Sequence, residues 1–223
     1  MSTAVIESRS LAEARPFSGF HFADAEANHS HAYLLPAVER LLEQATLHGD
    51  RRVFDLGCGN GSVAAHLADL GYDVTGVDPS DEGIHRARRA YPQLALSPGS
   101  AYDDLAEQYG RYPAVVSLEV VEHVYDPRKY AATLYDLVEK GGTAIVSTPY
   151  HGYWKNLALA VSGKMDRHFT ALWDHGHIKF WSFSTLSTLL SEAGFRDIKF
   201  LRVGRIPMLA KSMIAVGRKV VGG

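Results

Sequence analysis

Four short stretches of the sequence set chemical residue types at useful spacings. The first is Glu119-Val120-Val121-Glu122-His123, with two carboxylates and an imidazole at i, i+3 and i+4. On a helical turn these three would share one face. Such a face can hold a divalent ion or work as acid and base. The second stretch is Asp55-Leu56-Gly57-Cys58-Gly59-Asn60-Gly61. Its glycines permit a tight turn and bring a ligand close to main-chain N–H groups. Asp55 adds a carboxylate where a cationic amine would sit. The third is Asp78, which closes a β-rich run and is suitably placed for ribose hydroxyls. The fourth, Trp173-Asp174-His175-Gly176-His177, sets imidazoles beside aromatic rings and suits a phenol or aromatic alcohol.

Elements must bring these stretches together. Hydrophobic spacing predicts a helix over 31–44, with Leu34, Val38, Leu41 and Leu42 on one face and Pro36 in an early turn. Strands are expected at 51–56, 73–78, 94–96, 112–118, 143–148, 195–203 and 211–219. Helices are expected at 62–70, 79–90, 127–139 and 183–193, with Gly71, Gly141-Gly142 and Gly194 as stops. This alternation specifies a doubly wound α/β domain with a mostly parallel seven-stranded sheet and an antiparallel C-terminal hairpin. Both acid-bearing strands end where ligands bind in such sheets.

The expected organisation is an N-terminal arm and covering helix over 1–50, then one domain over 51–223, with a lid insertion at about 149–180. The arm proper is 1–17, and Ser30 is the expected cap of the first helix, with His31 and Tyr33 as weaker candidates for lining the site. Within the insertion a short helix is expected at 156–161. Its aromatics Tyr150, Tyr153, Trp154, Phe169 and Trp173 would build a pocket wall or a small satellite core. His151 and His168 belong to no motif and read as surface or hydrogen-bonded residues.

Composition narrows the function. The chain has 223 residues and a formal net charge of −2, from 23 Lys+Arg against 25 Asp+Glu. That balance carries no basic excess of the kind that marks a dedicated nucleic-acid binder. Cys58 is the single cysteine, which excludes an intrachain disulfide and a Cys-rich zinc site. The first residues carry no secretory pattern. The longest apolar runs fall far short of the ~20 residues that span a bilayer. A cytoplasmic protein is expected, with a peripheral membrane contact left open and no signal for oligomeric state.

Asp-Leu-Gly-Cys-Gly-Asn-Gly at 55–61 followed by Gly-Val-Asp-Pro-Ser at 76–80 resembles the first two motifs of class I S-adenosylmethionine-dependent methyltransferases. The resemblance implies that Asp55, Gly57, Gly59 and Gly61 cradle the methionine part of the cofactor and that Asp78 binds its ribose. Glu119 would line the same pocket. Where many relatives carry an acid near the adenine, this chain has Gly99-Ser100-Ala101-Tyr102, so Ser100 and Ala101 are the candidate adenine contacts. The stretch around Glu119 resembles ubiquinone-biosynthesis O-methyltransferases, which act on catechol-like phenols. It also resembles small-RNA 2′-O-methyltransferases, which hold a metal through a Glu-x-x-Glu-His cluster and a later His. His177 falls at the place of that later residue. The resemblance therefore implies Glu119, Glu122, His123 and His177 as ligands of Mg, Mn, Fe, Co or Zn, with His123, His177 and Glu122 in catalytic roles. The expected reaction is O-methylation of a small phenolic, catechol-like or quinol-precursor substrate. N-methylation of a small amine and 2′-O-methylation of RNA are the alternatives.

Overall fold

The computed structural model describes residues 30–46, 49–169, 171–173 and 176–220. The expected N-terminal arm, with His21, His29, His48, Asp174 and His175, lies outside the described residues. In chain order the helices are α1 (His31–Ala45), α2 (Ser62–Asp69), α3 (Asp81–Ala90), α4 (Leu105–Tyr109), α5 (Pro127–Leu137), α6 (Tyr153–Val161), α7 (Met165–Phe169) and α8 (Phe183–Ala193). The strands are β1 (Arg52–Leu56), β2 (Asp73–Asp78), β3 (Ala95–Pro98), β4 (Tyr112–Leu118), β5 (Val138–Pro149), β6 (Arg196–Val203) and β7 (Ser212–Arg218).

These strands form one sheet in the order β3-β2-β1-β4-β5-β7-β6. Strands β1 to β5 pair in parallel, and β7 runs antiparallel to both β5 and β6. The expected α/β sheet with its antiparallel C-terminal hairpin is therefore present. The order reverses direction between β1 and β4, which opens a crevice at their carboxyl ends.

Strand alternation divides the core between two faces. Val53, Ala114 and Val116 meet Leu34, Val38 and Leu42 of α1, Leu67 of α2 and Ile84 of α3. Phe54, Leu56 and Val115 meet Leu105 of α4, Tyr130 and Leu134 of α5, and Leu186 and Leu190 of α8. The cap chemistry fits the start of each helix. Ser80 Oγ accepts from Gly83 N, which delays α3 to residue 81. Asp126 accepts from Lys129 N, and Pro127 opens α5. Ser182 and Thr185 form a reciprocal capping box on α8.

Several expectations are corrected. Ser30 does not cap α1: its backbone is already helical and its side chain makes no cap bond. Pro36 lies inside α1, beyond the first turn, on the exposed side; the buried face of Leu34, Val38 and Leu42 carries the helix through it. Gly141-Gly142 does not stop α5. The helix ends at Leu137, and β5 starts at Val138 with both glycines inside it. A Cβ on Gly142 would meet Pro113 O at 2.8 Å, so the glycine permits a close backbone crossing. Among the described residues none in α6 or α7 is buried, and Tyr153 and Trp154 are 73% and 58% exposed; Tyr150 joins the main core, and Phe169 meets Phe180 edge-on. No described helix is long and apolar enough to cross a membrane.

Candidate active site

A cavity of about 920 Å³ opens at the carboxyl ends of β1, β2 and β4. Asp55, Gly57, Gly59, Asp78, Ser100, Ala101, Glu119, His123 and His177 all line it. Two expected residues do not. Gly61 turns with φ 78° at the start of α2, packed against Leu96 and Ala87, and Glu122 sits just behind the wall. His31 and Leu34 of α1 close one side; Tyr33 instead points to Ser212, 3.3 Å away. Of the insertion aromatics, Trp173 lines the cavity.

Four N–H groups of the glycine turn are engaged within the chain rather than presented to a ligand. Gly57 N and Cys58 N donate to Val77 O, Gly59 N donates to Asp78 Oδ2 at 2.9 Å, and Gly61 N donates to Cys58 O. Asp78 Oδ1 also accepts from Ser80 N at 2.8 Å. The turn is thus tied to its own acid. A dinucleotide phosphate would find spent donors and facing carboxylates, which counts against a nicotinamide cofactor. Asp55 is buried, and its Oδ2 has no hydrogen-bond partner. Burial, then the nearby Asp78, pushes its carboxyl up to about 7. A buried unpaired carboxylate oxygen calls for a cation, and the ammonium of a bound amino acid would satisfy it.

The expected shared face of Glu119, Glu122 and His123 does not form, because this stretch is not helical. Glu119 adopts φ 57°, a left-handed conformation uncommon outside glycine, and a turn follows, closed by His123 N on Val120 O. Glu119 is redirected and held by hydroxyls. Its Oε1 accepts from Ser147 Oγ at 2.8 Å, and its Oε2 accepts from Ser212 Oγ at 3.3 Å. Burial outweighs these bonds and pushes the Glu119 carboxyl up to about 7. Ser147 was not foreseen, although a serine ending a buried apolar run is a legible signal. Ser212 gave none.

Glu122, His123 and His177 do converge. Each offers a ligand atom within 4.8 Å of the others. Glu119 does not join this group. Both Glu122 oxygens are buried without a hydrogen-bond partner, and His177 Nε2 stands 4.0 Å from Oε1. Burial, then Glu119, drives the Glu122 carboxyl well above the carboxylate range. His177 goes the other way: burial, then His123 and His168, lower it to about 4. His123 Nδ1 lies 3.1 Å from Gly176 O. A carbonyl only accepts, so Nδ1 carries the proton and Nε2 holds the lone pair.

The backbone explains how a residue so distant in sequence arrives here. Ile178 N and Lys179 N both donate to Glu122 O, at 2.9 and 3.0 Å, and Trp181 Nε1 donates to Val121 O at 3.0 Å. Segment 177–181 is stitched to the turn that carries Glu122.

Sheet order, acid-ended strands and glycine turn define the fold of class I S-adenosylmethionine-dependent methyltransferases. A solved structure of a SAM-dependent methyltransferase from Archaeoglobus fulgidus superposes with a TM-score of 0.60 at 17% identity, over 83% of this chain and 93% of that one. A family profile described as "Methyltransferase domain" matches residues 25–199, and the chain belongs to that family. Two curated relatives carry the name ubiquinone biosynthesis O-methyltransferase. One, from a Caulobacter species, is 38% identical over 117 residues, 50% of this chain and 46% of the relative. The other, from Cereibacter sphaeroides, is 33% identical over 151 residues, 66% of this chain and 61% of the relative. The chain thus spans about half to three-fifths of these relatives' length.

Proposed function

We propose that this chain methylates an oxygen of a small phenolic or catechol-like acceptor, with S-adenosylmethionine as donor. The observation that carries the reading is the Glu122-His123-His177 group on the same crevice as Asp55 and Asp78. When bound, S-adenosylmethionine supplies a methyl already activated on a sulfonium, so the protein needs chiefly to align the acceptor and remove its proton. Asp55 would hold the amino-acid end of the cofactor. Asp78 would receive the ribose, and Ser100 and Ala101 would flank the adenine. Trp173 and His123 meet edge to face, with ring centres 6.3 Å apart, and form a wall suited to an aromatic acceptor. His123 Nε2 is the group that would take the acceptor's proton.

A divalent ion fits the same group. The two orphaned oxygens of Glu122 lack a partner, and a carboxylate with two imidazoles suits Mg, Mn, Fe, Co or Zn. Glu122, His123 and His177 would be its ligands, His123 through Nε2, which would then be coordinated and no longer act as the base. Such an ion would lower the pKa of an acceptor hydroxyl.

Calorimetric titration with S-adenosylmethionine, followed by mass spectrometry of a catechol incubated with cofactor and each metal in turn, tests the reading. Saturable binding and a methylated catechol are expected, with turnover falling by about a hundredfold or more in His123→Ala. A catechol left unmodified under every metal, while an amine is methylated, would sink it.

A further inference from the structure

The carboxyl end of β5 continues the rim that carries Asp55, Asp78 and the Glu122 turn, and His151 follows it two residues on. Around His151 lies a second polar group that the proposed chemistry does not use: Lys155 and Asn156 of α6 and His168 of α7. The His151 and His168 ring centres are 5.5 Å apart. Phe169 stacks on His151 at 5.9 Å, and Phe180 meets it edge-on at 5.1 Å. Inside this aromatic frame His151 Nδ1 and Asn156 Oδ1 are buried and face each other, while His168 Nε2 is buried with no hydrogen-bond partner among the described residues. An unpaired buried polar group is costly, which points to a ligand that completes it.

The charge around the group selects the ligand. Lys155 Nζ donates to Tyr150 O at 2.8 Å, which leaves the ammonium two further protons to give. Its charge bears on both His151 and His168, and Arg205 bears on Lys155 in turn. The acid that acts on Lys155 is Glu119, already engaged by Ser147 and Ser212. A group whose flanking charges are cationic, and whose acid partner is already engaged, repels a metal ion and attracts an oxyanion. Burial first, and Lys155 next, hold the His151 imidazole down at about 4, and His168 is lowered for the same reasons. Both rings are then neutral near pH 7, and each still carries one N–H to donate. The Asn156 amide can turn to present its NH2. His177 links this group to the catalytic one, since it is felt by His151 and itself feels His168.

We propose that Lys155, His151 and His168 form an anion subsite for the methyl acceptor, holding a compact oxyanion, carboxylate or phosphate, while the acceptor's hydroxyl meets His123 and His177. The acceptor is then an aromatic hydroxy acid rather than a neutral phenol, its ring set among Phe169, Phe180 and Trp173. This rests on the O-methyltransferase reading for the hydroxyl, but the oxyanion is read from the second group alone.

Binding tests it without turnover. The full chain, saturated with S-adenosylhomocysteine, is titrated by calorimetry with benzoate and, separately, with inorganic phosphate. One of the two is expected to bind saturably at millimolar concentration or below, and which one binds identifies the group. Lys155→Met, and independently a His151→Phe/His168→Phe double variant, should weaken that binding tenfold or more. Undiminished S-adenosylhomocysteine binding shows that the variants are folded. Neither anion binding, or binding that Lys155→Met leaves unchanged, overturns the subsite. Dihydroxybenzoate turnover separates the two readings. Lys155-dependent benzoate binding without methylation would leave the subsite and remove the O-methyltransferase reading. Methylated catechol with no anion binding would do the reverse.

Discussion

Asp55 and Glu119 share a strand-end setting and a carboxyl pushed up to about 7, yet they answer burial differently. Glu119 has two serine hydroxyls to donate to it, whereas Asp55 keeps one buried oxygen unpaired. Asp55 is therefore the acid whose ionisation most needs a ligand. Below about pH 7 its carboxyl is protonated in the free protein and must lose that proton to pair with an ammonium. Affinity for S-adenosylmethionine should thus rise from about pH 6 to about pH 8, steepest at the acid end, where the slope approaches tenfold per unit. In Asp55→Asn it should be weak and flat across that range. Calorimetry at several pH values checks both; a flat wild-type profile would remove the pairing. Not all of this was legible in the sequence. Asp55 and Asp78 stood out because acids rarely end buried strands without a reason. The separation of Glu119 from Glu122 was hidden, because a left-handed φ at a non-glycine residue leaves no mark on spacing.

Among the elements, those with a strong pattern and chemical stops at both ends were read to the residue: β2, β4 and α8. Boundaries failed where two cues competed. Gly141-Gly142 resembles a helix stop, but Val138 already belongs to the strand that follows. The glycine turn allows a cleaner separation of causes. Gly61 and Gly110 both have positive φ, 78° and 81°. A Cβ at Gly61 would meet Leu96 Cδ1 at 2.8 Å and Ala87 Cβ at 2.9 Å, whereas at Gly110 nothing lies within 4 Å. Gly110→Ala should cost a backbone term alone, about 1–3 kcal/mol, because its ψ of −159° lies in a region essentially confined to glycine. Gly61→Ala should cost about 1–2 kcal/mol for its left-handed backbone and about 1–3 kcal/mol more for overpacking. Denaturant unfolding of the two variants measures both losses. A Gly61→Ala loss below about 2 kcal/mol would mean that the α2–α3 packing yields freely.

Across the whole molecule, burial is divided unevenly. The sheet and its flanking helices hold the core, while α6 and α7 contribute no buried residue. Local opening free energy follows such differences. Within the described residues, brief trypsin digestion should therefore cut first at Lys164 or Arg167, both exposed, and the two fragments should elute together because β5 and β7 remain paired. Mass spectrometry of the first products checks this; an initial cut within β1–β4 or α5 would contradict it. The fold class was legible because alternation and acid-ended strands are long-range regularities. Within the insertion the helix expected at 156–161 falls inside α6, whereas the first turn of α6 and all of α7 were not legible, since these helices are exposed and bury no residue.

One carbonyl sets a limit on how this insertion can vary. Glu122 O receives both Ile178 N and Lys179 N, so the chain re-enters the site at a fixed address whatever path it takes from β5. Beyond Tyr150, which is buried in the core, the residues up to Leu172 are then a replaceable span. They can lengthen, shorten or exchange their side chains without shifting the register of His177. The same imidazole can in this way be offered to acceptors of different shape, with the change of specificity confined to a segment that the core does not need.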